Sequence, residues 1–449
     1  MKTMIKTLLI VALSLCNLPM NAYDFMVNGI AYNINTDQTS VSVTYEVKSS
    51  GPSYLEQPEG TLVIPATISY NNKNYLVTAI GPYSFQQCTK ITSVTLSSNS
   101  LDINDYAFTG CSNLKDITLG GVKTIGISAF SNTSLENLTI PNSVTSISKF
   151  AFYDCVKLKK VIIGDGVVSI GHMAFAGCED VDLLIVGESV QKVGEGDSEN
   201  RVLPIAKKIV WNAINCDHVL CSLTPCDESV EIGNKVKRIP YGFLSCRKQW
   251  GLHPQVPLEI IIPESVESIG SWAFFQLLFI NKDLNISASV KSIERRAFEG
   301  CGLKSVIIPN ASIEELAFSG NNLKTVTIGI GVNQIGPKAF LNNTEMSSFR
   351  NQNPVPQVIS DDVFSNENYL NCTLYVPTGS VSKYKAAQGW QLFRNIVGED
   401  SGIDEINSKV TNVCEVDRYS IDGYRLTVPR SGINIVRYSD GSVRKELVP

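Results

Sequence analysis

Residues 151–171 read AFYDCVKLKKVIIGDGVVSIG. Phe152 and Cys155 stand three apart, Leu158 follows, and Val161 and Ile163 then alternate with Lys160 and Ile162. Alternation over so few residues marks a short strand with one buried face. Gly164-Asp165-Gly166 marks a turn, after which Val167 and Ile170 lead back to the next Ala174-Phe175. A unit this small cannot bury its own apolar face and must stack on copies of itself.

The sequence supplies those copies. Phenylalanine followed three residues later by cysteine recurs at Phe85–Cys88, Phe108–Cys111, Phe175–Cys178, Phe243–Cys246 and Phe298–Cys301, and without the cysteine at Phe130, Phe274, Phe318 and Phe340. From Phe85 to Phe175 the steps are 23, 22, 22 and 23 residues, a period that marks a solenoid. Phenylalanine then vanishes for 68 residues up to Phe243. The last buried strand residue of each copy bridges that gap: Leu96, Leu119, Ile140, Ile163, Val186, Trp211, Ile232, Ile262, Ile286, Ile308 and Ile328. These residues are expected to line one continuous parallel ladder through the degenerate centre. The longest step, from Ile232 to Ile262, holds an insertion around Arg247 to Pro257 that contains Trp250 and His253.

Flanking segments complete the layout. Residues 1–22 read as a secretory signal peptide, with Lys2 and Lys6 ahead of an apolar run from Leu8 to Leu15 too short to span a bilayer. Cys16 invites a lipid-anchored reading, but bulky Leu15 before it fits that poorly. Residues 23–75, with alternating Val41, Val43, Tyr45 and Val47, read as a β-rich cap and first rung. Repeats occupy 76–370, degenerate over 180–242. Residues 371–398 form a terminal repeat and closing helix (Tyr384 to Ile396), and 399–410 a polar linker. Residues 411–449 carry three short strand signals in a small β-module.

Charge and cysteines narrow the function. The formal charge of −5 becomes −7 once Lys2 and Lys6 leave with the leader, so no basic footprint for nucleic acid is present. The six repeat cysteines read as small buried residues in the turn. Because copies carry Asn132 or Asn321 there, that position is expected to satisfy backbone groups rather than to do redox chemistry. Cys216, His218, Cys221 and Cys226 cluster without paired Cys-x2-Cys knuckles. Export favours one disulfide among Cys216, Cys221 and Cys226, with free thiols and a metal site as the alternatives. No nucleophile elbow, P-loop or metalloprotease helix pattern occurs, and no cofactor is expected. Glu264 and Glu267 read as solvated carboxylates flanking a turn.

What remains is the strand face that points outward. Thr95, Thr118, Thr139 and Thr327 form a row interrupted by Ile162 and Ile307, and Lys115, Lys159, Lys304 and Lys324 recur one residue after the strand leucine. Singly, each keeps an exposed sheet soluble. Together they outline a repetitive recognition face of the kind solenoids present.

The copies at Ala151 to Ile170 and Ala297 to Ile313 resemble the BspA-like class of bacterial leucine-rich repeats, over about Ile64 to Val397. That resemblance implies a leucine-rich-repeat solenoid of about 22-residue repeats. It would have a parallel β-ladder, an irregular or short helical convex side, a β-rich amino-terminal cap and a small β carboxy-terminal module. It further implies a secreted or outer-surface adhesion protein that binds extracellular matrix or cell-surface proteins of host or neighbouring cells. Polysaccharide is the alternative ligand, for which exposed aromatics such as Trp250 would be the platform. Tyr419 to Val448 resembles the type IX sorting tails of secreted proteins from Bacteroidetes-type bacteria.

Overall fold

The computed structural model describes residues 23–399, with breaks at 47–53, 55, 98–99, 195–201, 220–228, 246–259 and 278–282, and four strands between 415 and 448. The signal peptide, Trp250, His253, Cys221, Cys226 and Cys246 lie outside the described residues.

The repeat strands stack into a parallel solenoid of about twelve turns. One ladder, the outer ladder, is made by the Leu-x-x-Ile-x-Ile strands. Its hydrogen-bonded blocks run from Gly60–Ile64 to Asp116–Thr118, from Asn137–Ile140 to Val230–Ile232, and from Asp283–Asn285 to Asn395–Glu399. Register is kept by the apolar column, as in Ile140↔Ile163↔Val186↔Trp211↔Ile232. A one-residue slip would turn that whole column to solvent. Ten of the eleven expected core residues are buried. Ile262 is the exception: it is half-buried and packs against the core beside buried Ile260.

The Val-x-x-Ile segment, expected only to lead back to the next phenylalanine, builds a second parallel ladder. This return ladder stacks Ile80, Ile103, Ile125, Ile147, Ile170 and Val193, then Ile239, Ile269, Ile293 and Ile313. Neither ladder is unbroken, which corrects the single continuous ladder. The breaks are staggered. Where the outer ladder lapses between Thr118 and Asn137, Thr124↔Ser146 and Ile125↔Ile147 pair in the return ladder. Where it lapses after Ile232, Arg238↔Ser268 and Ile239↔Ile269 pair. Where the return ladder thins after Val193, the outer ladder is paired through Val186↔Trp211↔Ile232. Among the described residues, the solenoid therefore crosses its degenerate centre with no unrelated fold between Val186 and Ile232.

The Ala-Phe turn is the third stacked part. In most turns the phenylalanine amide donates to the alanine carbonyl of the next turn, as in Phe108 N to Ala129 O at 2.7 Å and Phe152 N to Ala174 O at 2.8 Å. The rings stack at 5.1–5.3 Å from Phe85 through Phe175 and again from Phe274 through Phe318. In the gap, Phe175 N donates to Val202 O, so buried Leu203 stands in the phenylalanine place. Leu244 N donates to Ala273 O, so Leu244 rather than Phe243 holds the register there. The copy read as Phe243–Cys246 is one residue out of phase.

Two residues of each of nine phenylalanine turns have a left-handed backbone. The one after next past the phenylalanine is Gln87, Gly110, Asn132, Asp154, Gly177, Gln276, Gly300, Gly320 or Asn342, seven of the nine being Gly, Asn or Asp, the types that tolerate that region. The one two before it is Tyr83, Tyr106, Ser128, Phe150, Met173, Trp272, Arg296, Leu316 or Lys338. Bulky side chains accept the strain because they pack along the column. Tyr83 stacks on Tyr106 at 5.0 Å, and the Arg296 guanidinium lies 4.7 Å from the Trp272 ring centre.

The ends are closed differently. Strands β1 (Phe25–Val27), β2 (Ile30–Ile34) and β3 (Ser40–Thr44) form an antiparallel meander. β4 (Gly60–Ile64) begins the outer ladder, and β5 (Thr67–Tyr70) and β6 (Lys73–Ile80) form a hairpin. β3 pairs parallel with β6 and so caps the return ladder. Tyr54 caps the phenylalanine column, stacking 5.8 Å from Phe85 while its hydroxyl donates to Thr44 O. At the carboxy end, the expected single helix is instead helix Val381–Ala386, a 3₁₀ turn Trp390–Leu392 and a strand Asn395–Glu399. The helix ends where Ala387 turns extended, and buried Gly389, with a positive φ, leads into the 3₁₀ turn. Glu399, assigned to the linker, pairs with Pro377 in the ladder, as Gly398 before it pairs with Val376. The final module is a four-stranded antiparallel sheet.

Candidate functional site

Pleating sends alternate residues of each outer-ladder strand to solvent, and register aligns them into columns. One column runs Val63–Thr95–Thr118, then Thr139–Ile162–Ile185–Val210–Glu231, then Asn285–Ile307–Thr327–Arg350–Tyr375–Val397. Thr95 and Thr118 are neighbours as expected. Thr139 stands across the break from them, and Thr327 sits between Ile307 and Arg350. Ile162 beside Thr139 and Ile307 beside Thr327 are the interruptions expected in the row. The Arg350 guanidinium lies 4.7 Å from the Tyr375 ring centre and pairs with Glu399.

The lysines are arranged by backbone hydrogen bonds at the strand entrance. Glu136 N donates to Lys115 O, Lys159 N to Glu136 O, and Asp182 N to Lys159 O. Their column thus alternates in charge. Lys115 reaches Glu136 at 4.0 Å, Lys159 pairs with Asp180, Lys207 reaches Asp182 at 2.6 Å, and Lys324 reaches Glu345 at 3.7 Å. The hydrogen bond from Lys159, with the charges of Lys159 and Lys207, holds the Asp180 carboxyl below its ordinary value. Exposed pairs of this kind add little to stability. Lys115, Lys159 and Lys207 therefore sit in a rim of paired charges, whereas Lys324 N donates to Lys304 O, so those two lysines are direct neighbours. Lys304 is exposed.

At the centre of this face lie four residues that were not among the expected contacts. Ile162, Ile185 and Val210 are consecutive in one column, and Leu183 stands in the next between Lys160 and Lys208. All four are half-buried and point outward. The signal was present in the unbroken apolar runs Val161-Ile162-Ile163 and Leu183-Leu184-Ile185-Val186, where a one-faced strand should alternate.

The cysteines fill the role expected of their position. Sγ of Cys111, Cys155, Cys178 and Cys301 donates to the carbonyl of the previous turn's phenylalanine at 3.0–3.3 Å. Asn321 and Asn343 do the same through Nδ2. Thr133, not Asn132, holds this place in its turn, and Asn132 is exposed at the left-handed position. Cys216 is a buried free thiol whose Sγ donates to His218 O, and burial pushes it up to about 12. A disulfide with Cys221 or Cys226 falls outside the described residues. Among the described residues no group of three or more His, Cys, Asp or Glu side chains is placed to hold a metal ion. Glu267 pairs with Lys237 at 2.9 Å and Lys291 at 3.8 Å.

The family model of the BspA type leucine rich repeat region matches six copies across residues 78–198 and 258–371, more than half of the chain. No curated protein matches the sequence. Among solved structures, a leucine-rich repeat protein from Bacteroides ovatus ATCC 8483 is 22% identical, covering 83% of this chain and 88% of that one, at a TM-score of 0.44. The pneumococcal vaccine antigen PcpA is 20% identical over 84% of this chain and 98% of its own, at 0.42. A leucine rich cell surface protein from Faecalibacterium prausnitzii A2-165 is 18% identical over 86% and 96%, at 0.33.

Proposed function

Because this chain belongs to the BspA-type leucine-rich repeat family, we propose that it is a secreted or cell-surface adhesion module. It would bind a matrix or cell-surface protein through the outward face of its outer ladder and would perform no catalysis. The observation that carries this reading is the apolar centre of Ile162, Leu183, Ile185 and Val210 within a rim of paired Lys, Asp and Glu. An apolar core inside a polar rim is the anatomy of protein interfaces, and the core supplies most of the binding energy.

Binding of the mature chain to a panel of matrix proteins, beside a glycan array, tests it. Ile185→Lys should abolish protein binding while the melting temperature holds, since a half-exposed substitution away from the core shifts stability little. Protein binding unchanged by Ile185→Lys would refute the face. Capture by glycans alone would favour the polysaccharide reading. The tail at 411–449 is assigned to delivery. Its deletion should leave the melting temperature unchanged and trap the protein short of the surface, and normal display of the truncated chain would remove that role.

A further inference from the structure

The amino-terminal cap covers two of the three stacked parts of the solenoid. β3 pairs with the return ladder and Tyr54 lies over the phenylalanine column, but β4 ends the outer ladder with no strand on its far side among the described residues. Gly60 N donates to Lys90 O, and Ile64 O accepts from Ser97 N. Counting back from Ile64, where the strand is regular, the groups of Ile64 and Leu62 face β7 (Ile91–Leu96) and those of Val63 and Thr61 face away, the register shift lying between Gly60 and Thr61. Proteins blunt such edges with lysine, proline, bulges toward solvent or a covering segment. Gly60–Ile64 contains neither lysine nor proline, and Val63 is 52% exposed.

A cleft of about 750 Å³ opens beside this edge. Its walls include the apolar side chains of Met26, Ile30 and Leu62 and the carboxylates of Glu46, Glu56 and Glu59. Lys90 approaches Glu59 at 3.7 Å, with the Glu59 side chain 76% exposed. A strand laid along β4 would find two backbone donors and two acceptors, an apolar floor and a negative wall. We propose that the edge of β4 takes up an extended polypeptide segment with alternating basic and apolar residues, bound by strand addition. Main-chain hydrogen bonds would give affinity and the cleft would select side chains. The site uses the backbone edge of β4 and not the apolar centre of the outward face, whose column Val63 begins. The head-to-tail alternative, pairing with Asn395–Glu399 of a second copy, would bring Glu399 toward the same carboxylates.

The test uses the full mature chain and a synthetic heptapeptide of alternating Lys and Val, with its Glu-Val counterpart as control. Titration calorimetry should show binding of the Lys-Val peptide at least tenfold tighter than the control. Amide exchange should slow at Thr61 and Val63. Val63→Pro removes an amide that faces away from β7, so folding should survive and binding should fall at least tenfold. Glu56→Lys with Glu59→Lys should reverse the preference between the peptides, which decides the matter even if the proline variant does not fold. Equal affinity for both peptides, undiminished binding to folded Val63→Pro, protection at Ile185 instead of Val63, or no binding at millimolar peptide would each overturn the proposal.

Discussion

Phe152 and Lys159 lie seven residues apart in one repeat and mark the extremes of what a side chain does in this molecule. Phe152 is fully buried between Phe130 and Phe175. Phe152→Ala should cost about 3–5 kcal/mol, from lost transfer energy and the cavity left in a stack that cannot collapse along its axis. Lys159→Ala should change stability by less than about half a kcal/mol, because its partner Asp180 is equally exposed. Chemical denaturation of both variants checks the pair, and equal midpoints would mean the strand faces are inverted. The turn thiols give a second test. Burial pushes Cys88 up to about 12 from an ordinary 9, which disfavours the thiolate in the folded state alone. Its contribution to stability is therefore complete below pH 9 and is lost as pH rises from 9 towards 12. Residue-resolved alkylation at pH 8.5 should leave Cys88 unmodified until denaturant unfolds the chain. Rapid native-state labelling would contradict its burial.

A turn is a strand, a return segment and an Ala-Phe bend, and the bend is where backbone strain collects. Lys338 is exposed with φ +59°. Left-handed backbone costs a side-chain-bearing residue roughly 1–2 kcal/mol, against about 0.5–1 kcal/mol for the extra unfolded-state freedom of glycine. Lys338→Gly should hold or gain up to about 1 kcal/mol. Thr325→Gly, in an ordinary strand, should lose about 0.5–1 kcal/mol or more. Thermal melts of the two, run side by side, would disprove the bend geometry if both lost stability alike. The sequence foretold the strand and the Phe–Cys bend because both depend on local spacing. It did not show Leu203 and Leu244 taking the phenylalanine place. That choice depends on which backbone amide meets the next turn, not on residue type.

Stability in a stack is the sum of turns and of the contacts between neighbours, so the ends carry disproportionate weight. Trp390 is fully buried at the closing end, against Phe349, Phe364 and Tyr384, with Nε1 donating to Gln357 O at 2.8 Å. Trp390→Ala should fray the last turns first. Hydrogen exchange should rise in Thr373–Pro377 and Asn395–Glu399 before it rises in Lys160–Ile163. Uniform loss of protection along the chain would mean that the solenoid unfolds as one unit instead.

The repeat period, the buried column and the turn role of Cys and Asn were legible in the sequence, because a stacked fold writes its core as a local periodicity. The tertiary structure decided the rest. The return ladder escaped notice because its strands are two residues long in many turns and carry no alternation to read. The apolar centre at Ile162, Ile185 and Val210, the pairing of Lys115 and Lys159 with Glu136 and Asp180, and the open edge of β4 are all relations between residues about 20 or more positions apart. Sequence spacing places each side chain on its own strand. Only the register between strands says which others stand beside it.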